Sequence, residues 1–512
     1  MKSFKSQKIS NECKKSKSKK SKMEKTLTNF LGDDVDETIR EKVKKKHIDL
    51  FEEILTEILT LNPQITKQEL TNRIIYNHDR TINSLNLSYF EEHLKNLPKN
   101  IKNLTVTNLL DLSNNQIKIL PDEFFKIKVG GNLNLSNNRL EKLPDKFFKI
   151  EVGGNLNLSN NRLEKLPESF GTIKVGGNLN LSNNRLEKLP ESFGTIKVGG
   201  DLNLSYNKLI ELPKSFGNIK IGDDLNLSYN ELETLSENFG NIKIRGNINL
   251  SWNELIKLPE KIGGYIFGEE ILGRIEIGGF LDLNHNQLTS LPESFFNIKV
   301  DSWINLSYNQ LIKLPEIFGK IKICDLNLCH NQLIELPENF ELIEIDGFLD
   351  LSHNQLTSLP ESFGYLLFDE KLYLNLSNNN LKSLPESFGK LEVSELNLSE
   401  NKLTDLSENF GNLEIWGGNL NLSRNQLQSL PESFGNLEIG GDLNLSHNQL
   451  QSLPEFFGHI TINGDLNLSY NQLISLPESF DFGMRLSGDL NLSNNRFTTL
   501  KSLPEQFWIY CF

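Results

Sequence analysis

The chain has 512 residues, with 54 basic and 67 acidic side chains and a net charge of −13. The acidic excess argues against nucleic acid as the partner of the main body. The four cysteines, Cys13, Cys324, Cys329 and Cys511, are scattered and form no CxxC pair, which favours a reducing compartment.

Residues 1–25 hold ten lysines against Glu12 and Glu24, a local charge of +8 that leaves −21 on residues 26–512. This Lys/Ser-rich stretch has too little apolar surface to fold and is expected to be disordered, serving as a solubilising tail or as a nuclear-targeting or anionic-surface tag. It lacks the apolar centre of a signal peptide, and no run in the chain is long and apolar enough for a bilayer, so neither export nor membrane insertion is expected. Residues 26–81 read as a helical N-terminal cap. Val35, Ile39, Val43, Leu50, Ile54, Ile58 and Leu61 recur at helical spacing and predict a helix over 34–61, stopped by Asn62-Pro63. Thr66 and Glu69 have the spacing of a capping box, and Ile65 is placed to staple onto Leu70, which predicts a second helix to about Tyr76. The segment Leu50–Leu59 is faintly similar to the start of an F-box, a ligase-adaptor module, without its opening Leu-Pro and its downstream Trp.

From about residue 82 one pattern takes over. A clean copy runs Leu156-Asn-Leu158-Ser-Asn-Asn161-Arg-Leu163-Glu-Lys-Leu166-Pro167-Glu-Ser-Phe170, and the prolines Pro98, Pro121, Pro144, Pro167, Pro190 and Pro213 recur every 23 residues. Seventeen full copies run from Leu110 to Leu490, after a degenerate copy at Leu85–Pro98. This pattern resembles the leucine-rich-repeat family in its 23-residue Leu-Pro variety, over residues 82–512. The resemblance implies an α/β repeat solenoid: a β-rich horseshoe with a parallel concave sheet, built to bind other proteins. It also implies that the sixth-position Asn, present in every full copy from Asn115 to Asn495, satisfies backbone groups where the chain leaves the strand. One departure is a Gly three residues before the first strand Leu (Gly130, Gly153), with the apolar anchor one place earlier (Val129, Val152).

Leu156 and Leu158 alternate with Asn157, so each copy opens on a short strand with two side chains inward. A Phe three residues after the Pro position (Phe124, Phe147, Phe170, Phe193, Phe216, Phe239, Phe295, Phe318, Phe340) forms a core row, with Ile262 as its exception. The return limb, as in Gly171-Thr-Ile173-Lys-Val175, is too short for a helix and predicts a tight turn and a second short strand. Pro259 to Pro292 is ten residues longer than the repeat, and the extra Gly264–Gly273, with apolar Tyr265, Ile266 and Phe267, is expected to loop out as a candidate binding tip. The terminal Phe507-Trp508-Ile509-Tyr510-Cys511-Phe512 is expected either to cap the last coil or to leave an edge for end-to-end self-association.

No glycine-rich phosphate loop, GxSxG or HExxH motif occurs, and no catalytic module is expected in the small head or after the repeats. No cofactor is implied. His285, His330 and His353 share a repeat position, but Tyr308 interrupts them and no carboxylate column joins them, so no metal site is expected. The residue between the strand leucines is Asn in fourteen copies and Asp in three, and is expected to be exposed. The residue before the ladder Asn reads Tyr206, Tyr229, Trp252, His285, Tyr308, His330 and His353 in seven consecutive copies. The residue before the first strand Leu is Phe280, Trp303, Phe348 and Tyr373 in the middle copies. Both columns are expected to face solvent on the concave side as a partner-binding patch, flanked by a basic column, Arg139, Arg162, Arg185 and Lys208. Thirteen repeats carry Asn-Leu-Ser, and glycans on adjacent strands would crowd one another, which again suits an intracellular protein. The expected function is an intracellular protein-binding scaffold, cytoplasmic or carried to the nucleus by its basic tail. A ligase adaptor using residues 34–77 is the alternative.

Overall fold

A computed structural model describes residues 37–497, apart from residues 80, 91–93, 268–269, 317–320, 367–371 and 483. The Lys-rich tail and the aromatic C-terminus therefore lie outside the described residues, as does Phe318 of the core row.

Each coil is built from the alternation of its leucines. Their side chains are almost wholly buried, Leu156, Leu158 and Leu163 being 0% exposed, while the backbone pairs with the neighbouring coils in register: Leu156 aligns with Leu133 on one side and Leu179 on the other. All the front strands run parallel, from Ile82–Asn86 to Leu490–Asn491. The return limb follows the expectation of a tight turn and a short strand. A one-turn 3₁₀ helix such as Phe170–Thr172 leads into a two-residue strand, Lys174–Val175, which pairs in parallel with its equivalents.

The phenylalanines fill the coil behind the leucines. Phe170 and Phe193 lie 6.2 Å apart between ring centroids and 6° from parallel, and both are fully buried. This offset stacking runs down most of the solenoid. Ile262 takes the position, buried, where the row is interrupted.

The Gly departure has a steric cause. A Cβ on Gly153 would stand 2.0 Å from the carbonyl oxygen of Gly130 in the preceding coil, and one on Gly176 would stand 2.2 Å from that of Gly153. The backbones of successive coils approach too closely there for any side chain, and the buried Val129 and Val152 anchor the limb one residue earlier.

The sixth-position Asn ties each coil to the one before. Asn138 Nδ2 donates to the carbonyls of Leu112, at 2.9 Å, and Leu135, at 3.1 Å, and its Oδ1 accepts from the Ile117 amide at 3.1 Å. The same set recurs at Asn230 and Asn448.

In the head, helix α1 (Glu37–Leu61) buries Phe51, Ile54, Leu55 and Ile58. Asn62 fastens it to the first coil, donating to the Asn96 carbonyl and accepting from the Lys95 amide. The capping box at Thr66 and Glu69 is formed, but the second helix, α2 (Lys67–Thr71), is shorter than expected. Residues to Tyr76 form instead a strand, β1 (Ile74–Tyr76), antiparallel to β2 (Ile82–Asn86). Two consecutive isoleucines and a tyrosine suit a strand, and the open edge of the first coil offers unpaired backbone groups to meet it.

The extra segment is a β-hairpin rather than a loop: Gly263–Phe267 pairs antiparallel with Glu270–Arg274. It lies in the return limb, so Ile248 and Leu281 on either side of the insertion still pair in the front sheet. The Tyr265, Ile266 and Phe267 side chains lie outside the described ones.

Two substitutions test this architecture in urea denaturation. Asn230→Ala removes the side-chain donor shared by the Leu204, Leu227 and Ser228 carbonyls and the acceptor of the Leu209 amide, and is expected to destabilise by about 3 kcal/mol or more. Phe193→Ala opens a cavity in the stack and is expected to lose about 3–5 kcal/mol. A loss under about 1 kcal/mol in either would contradict the role given to that row.

Candidate functional site

The front face begins at the point where each strand ends. To bring the ladder Asn inward, the residue before it takes a left-handed backbone in every copy: φ is 53° at Tyr206, 54° at Trp252 and 50° at His285. Asn tolerates this conformation, and it occupies the position at Asn114, Asn137, Asn160 and Asn183. A bulky side chain there costs about 1–2 kcal/mol. From Tyr206 to His353 the position nevertheless holds a ring in every copy.

Those seven rings form one continuous stack. Centroid separations are 4.3 Å for Tyr206–Tyr229, 5.3 Å for Tyr229–Trp252, 3.8 Å for Trp252–His285 and 4.3 Å for His285–Tyr308. They are 4.2 Å for Tyr308–His330 and 4.1 Å for His330–His353, and no adjacent pair departs more than 14° from parallel. Backbone bonds hold the rows in register, as where the Tyr206 amide donates to the Ser228 carbonyl. The rings shield one another's faces and leave their edges out, so that Tyr206 remains 52% and Trp252 45% exposed.

The second column sits at the other end of the strands. Phe280 and Trp303 stack at 4.1 Å, and Phe348 and Tyr373 tilt against each other at 5.0 Å. Asp325 pairs with Phe348 in the sheet and separates the two ring pairs. The eleven residues therefore form two rows rather than one patch, with the Asn/Asp column between them. That column is less exposed than its pattern suggests. Asn134 Oδ1 accepts from both the amide and the hydroxyl of Ser136, and Asp282 and Asp350 are buried. The short polar side chain turns back on its own backbone, a local preference that strand alternation does not reveal. Burial raises the Asp282 carboxyl above the ordinary carboxylate value.

Sequence spacing did not mark a third set of outward apolar residues, interrupted at Glu233 and Thr289. Ile210, Ile256, Ile312 and Ile334, three residues after the ladder Asn, are 42% to 48% exposed. An apolar residue at an outward repeat position was the available signal. The cations Arg139, Arg162, Arg185 and Lys208 follow the ladder Asn directly, and their amides donate to the preceding coil.

The three imidazoles lie flat on their neighbours, so their nitrogens do not converge, and His285 Nδ1 is hydrogen-bonded to Asn284 Oδ1 at 2.8 Å. Burial and the adjacent carboxylate of Asp350 push the Cys329 thiol up to about 12, away from a reactive thiolate. Among the described residues, the one cluster of possible metal ligands is Asp201, Asp223 and Asp224. There Asp201 and Asp224 already accept backbone amides of the next coil.

Burial lowers the pKa of His285, and burial with the His353 charge lowers that of His330. A folded value below the unfolded one means stability that is present above the ordinary histidine pKa and lost as pH falls through and below it. The melting temperature should fall between pH 7.5 and 5.5, and fall less in His285→Asn/His330→Asn, which keeps the left-handed backbone. An equal fall in both proteins would show that the stack does not oppose protonation.

Five segments of the repeat region, residues 155–173, 178–196, 348–366, 372–391 and 419–437, match the family model described as Leucine Rich Repeat. Among solved structures, the chain is similar to YopM from Yersinia enterocolitica, at 23% identity and a TM-score of 0.50, over 90% of this chain and 99% of that one. It is similar to a leucine-rich repeat protein from Bacteroides eggerthii at 15% identity and a TM-score of 0.57, over 90% and 92%. A structure of the Toll–Spatzle complex of Drosophila aligns at 21% identity and a TM-score of 0.56, with 79% of this chain covered and 56% of that one. No curated protein sequence matches significantly. The internal period, the ladder asparagines and these likenesses agree: the matched segments are leucine-rich repeats, and the chain has the leucine-rich-repeat fold.

Proposed function

We propose that this chain is a non-enzymatic scaffold that binds another protein on its front face, through the ring stack from Tyr206 to His353 and the row of Phe280, Trp303, Phe348 and Tyr373. Leucine-rich repeats generally mediate contacts between proteins. The observation that carries the finer reading is the backbone under the stack. Six other copies place Asn in this left-handed conformation, and Glu400, Arg424, His447 and Tyr470 fill it in four more, yet only from Tyr206 to His353 do seven consecutive copies hold rings there. Mutual stacking returns about 0.5–1.5 kcal/mol per pair, which offsets the strain but does not explain why the rings are kept partly exposed. Aromatic side chains with exposed edges are the usual anchors of protein interfaces.

Spacing supports the same reading. At ~4.8 Å per coil the stack runs on the order of 30 Å, long enough for a standard interface of about 800 Å² per partner. We place the protein inside the cell. Its asparagines in Asn-Leu-Ser are engaged with their own backbone. The ligase-adaptor alternative would need the apolar face of α1 to be free, and Phe51, Ile54, Leu55 and Ile58 are buried.

The test is an affinity pull-down with wild type beside Trp252→Asn/Trp303→Asn/Tyr308→Asn. Asn stands at the equivalent positions in Asn160 and Asn155, so the fold is preserved, and circular dichroism checks that. A stoichiometric protein recovered by wild type and reduced about tenfold or more by the variant supports the reading. Equal recovery would move the site off the rings.

A further inference from the structure

We infer that the partner presents a polypeptide segment acidic at one end and aromatic or aliphatic at the other, with its acidic end over Arg139, Arg162, Arg185 and Lys208. The inference rests on the partner-binding reading above and adds the chemistry of the partner. The four cations occupy the same repeat position in consecutive coils. Each amide donates to the coil before it, Arg162 to Leu140 and Arg185 to Leu163 at 2.9 Å, so the side chains are held in register about 4.8 Å from one coil to the next. Like charges in register on neighbouring strands repel.

No carboxylate stands within 4.0 Å of any of the four among the described residues. Cations elsewhere on the same solenoid do find acids: Lys188 pairs with Glu211 at 3.0 Å, Lys243 with Glu276 at 2.9 Å and Arg424 with Glu400 at 3.8 Å. Glu141, Glu164 and Glu187 lie two residues beyond the three arginines in sequence and still do not pair with them. Residues 26–512 carry −21, so an unpaired cationic strip on this acidic body is a local exception that attracts and orients an acidic ligand.

The strip also ends where the stack begins, since Lys208 is two residues from Tyr206. Past Glu231 and Glu254, the same position becomes Gln287, Gln310, Gln332 and Gln355. An extended chain along the face would meet cations over roughly 15 Å, about four or five residues, and then rings over on the order of 30 Å, about nine residues. A phosphate backbone would carry its charge past those glutamates and onto the acidic body, so the acidic ligand is assigned to a polypeptide.

The probe is a fluorescein-labelled random copolymer of glutamate and tyrosine, followed by anisotropy with the full chain at about 50 and 150 mM NaCl. Polyglutamate and a single-stranded oligothymidylate are the comparators. Arg139→Gln/Arg162→Gln/Arg185→Gln uses the residue that later copies carry at the same position. Tyr229→Asn/Trp252→Asn/Tyr308→Asn removes rings without changing the backbone. Wild type should bind the copolymer about tenfold more tightly than polyglutamate. The Gln variant should weaken both polypeptides about tenfold and flatten the salt dependence. The ring variant should weaken the copolymer alone. Undiminished copolymer binding by the Gln variant, a preference for the oligothymidylate, or no binding of the copolymer would overturn the acidic-segment inference and leave the pull-down to judge the rings. Loss in the Gln variant with none in the ring variant would instead uphold the strip and count against the stack.

Discussion

The structure depends on one asparagine per coil. Leucines alone would collapse the chain without fixing how one coil sits on the next, because apolar contact is not directional. The ladder Asn supplies the direction. Asn161 donates to the Leu135 carbonyl of the coil before and to the Leu158 carbonyl of its own, and accepts from the Leu140 amide, all at 3.0 Å. A buried amide whose donor and acceptor are both engaged is satisfied in a single register, and its repetition makes the coil spacing uniform. The close approach at Gly130, Gly153 and Gly176 and the even stacking of the phenylalanines follow from that spacing.

The same constraint creates the candidate binding surface. Turning the Asn inward demands a left-handed residue before it, and that residue must point away from the core. Each coil thus offers one outward position on a backbone locked by cross-coil hydrogen bonds. Seven of these positions in succession place rings about one coil apart, close to the distance at which aromatic faces meet. A row of this kind is rigid before any partner arrives, which limits the ordering entropy lost on binding.

The solenoid also separates change from function. Its insertion became a hairpin in the return limb, while Ile248 and Leu281 kept their pairing in front. Each coil touches mainly its neighbours, so a local insertion is absorbed locally. The cap follows the same logic: β1 covers the open edge of the first coil and α1 buries its apolar face, so both are occupied by closing the solenoid.

The sequence by itself determined the repeat, its period, the strand positions, the Phe row and the ladder, because each is a buried position whose residue type recurs at a fixed interval. It also showed where the rings and cations fall along the chain. It did not show that Ile74–Tyr76 would leave the helix, since the edge strand that captures it belongs to the next segment of the fold. Nor did it show that the Asn between the leucines turns back on its own backbone, or that the rings form a stack at one end of the strands and a separate row at the other. Those features depend on the backbone angle at a single residue and on the distance between coils. Neither quantity is written in residue type, and only the packing of one coil on the next decides them.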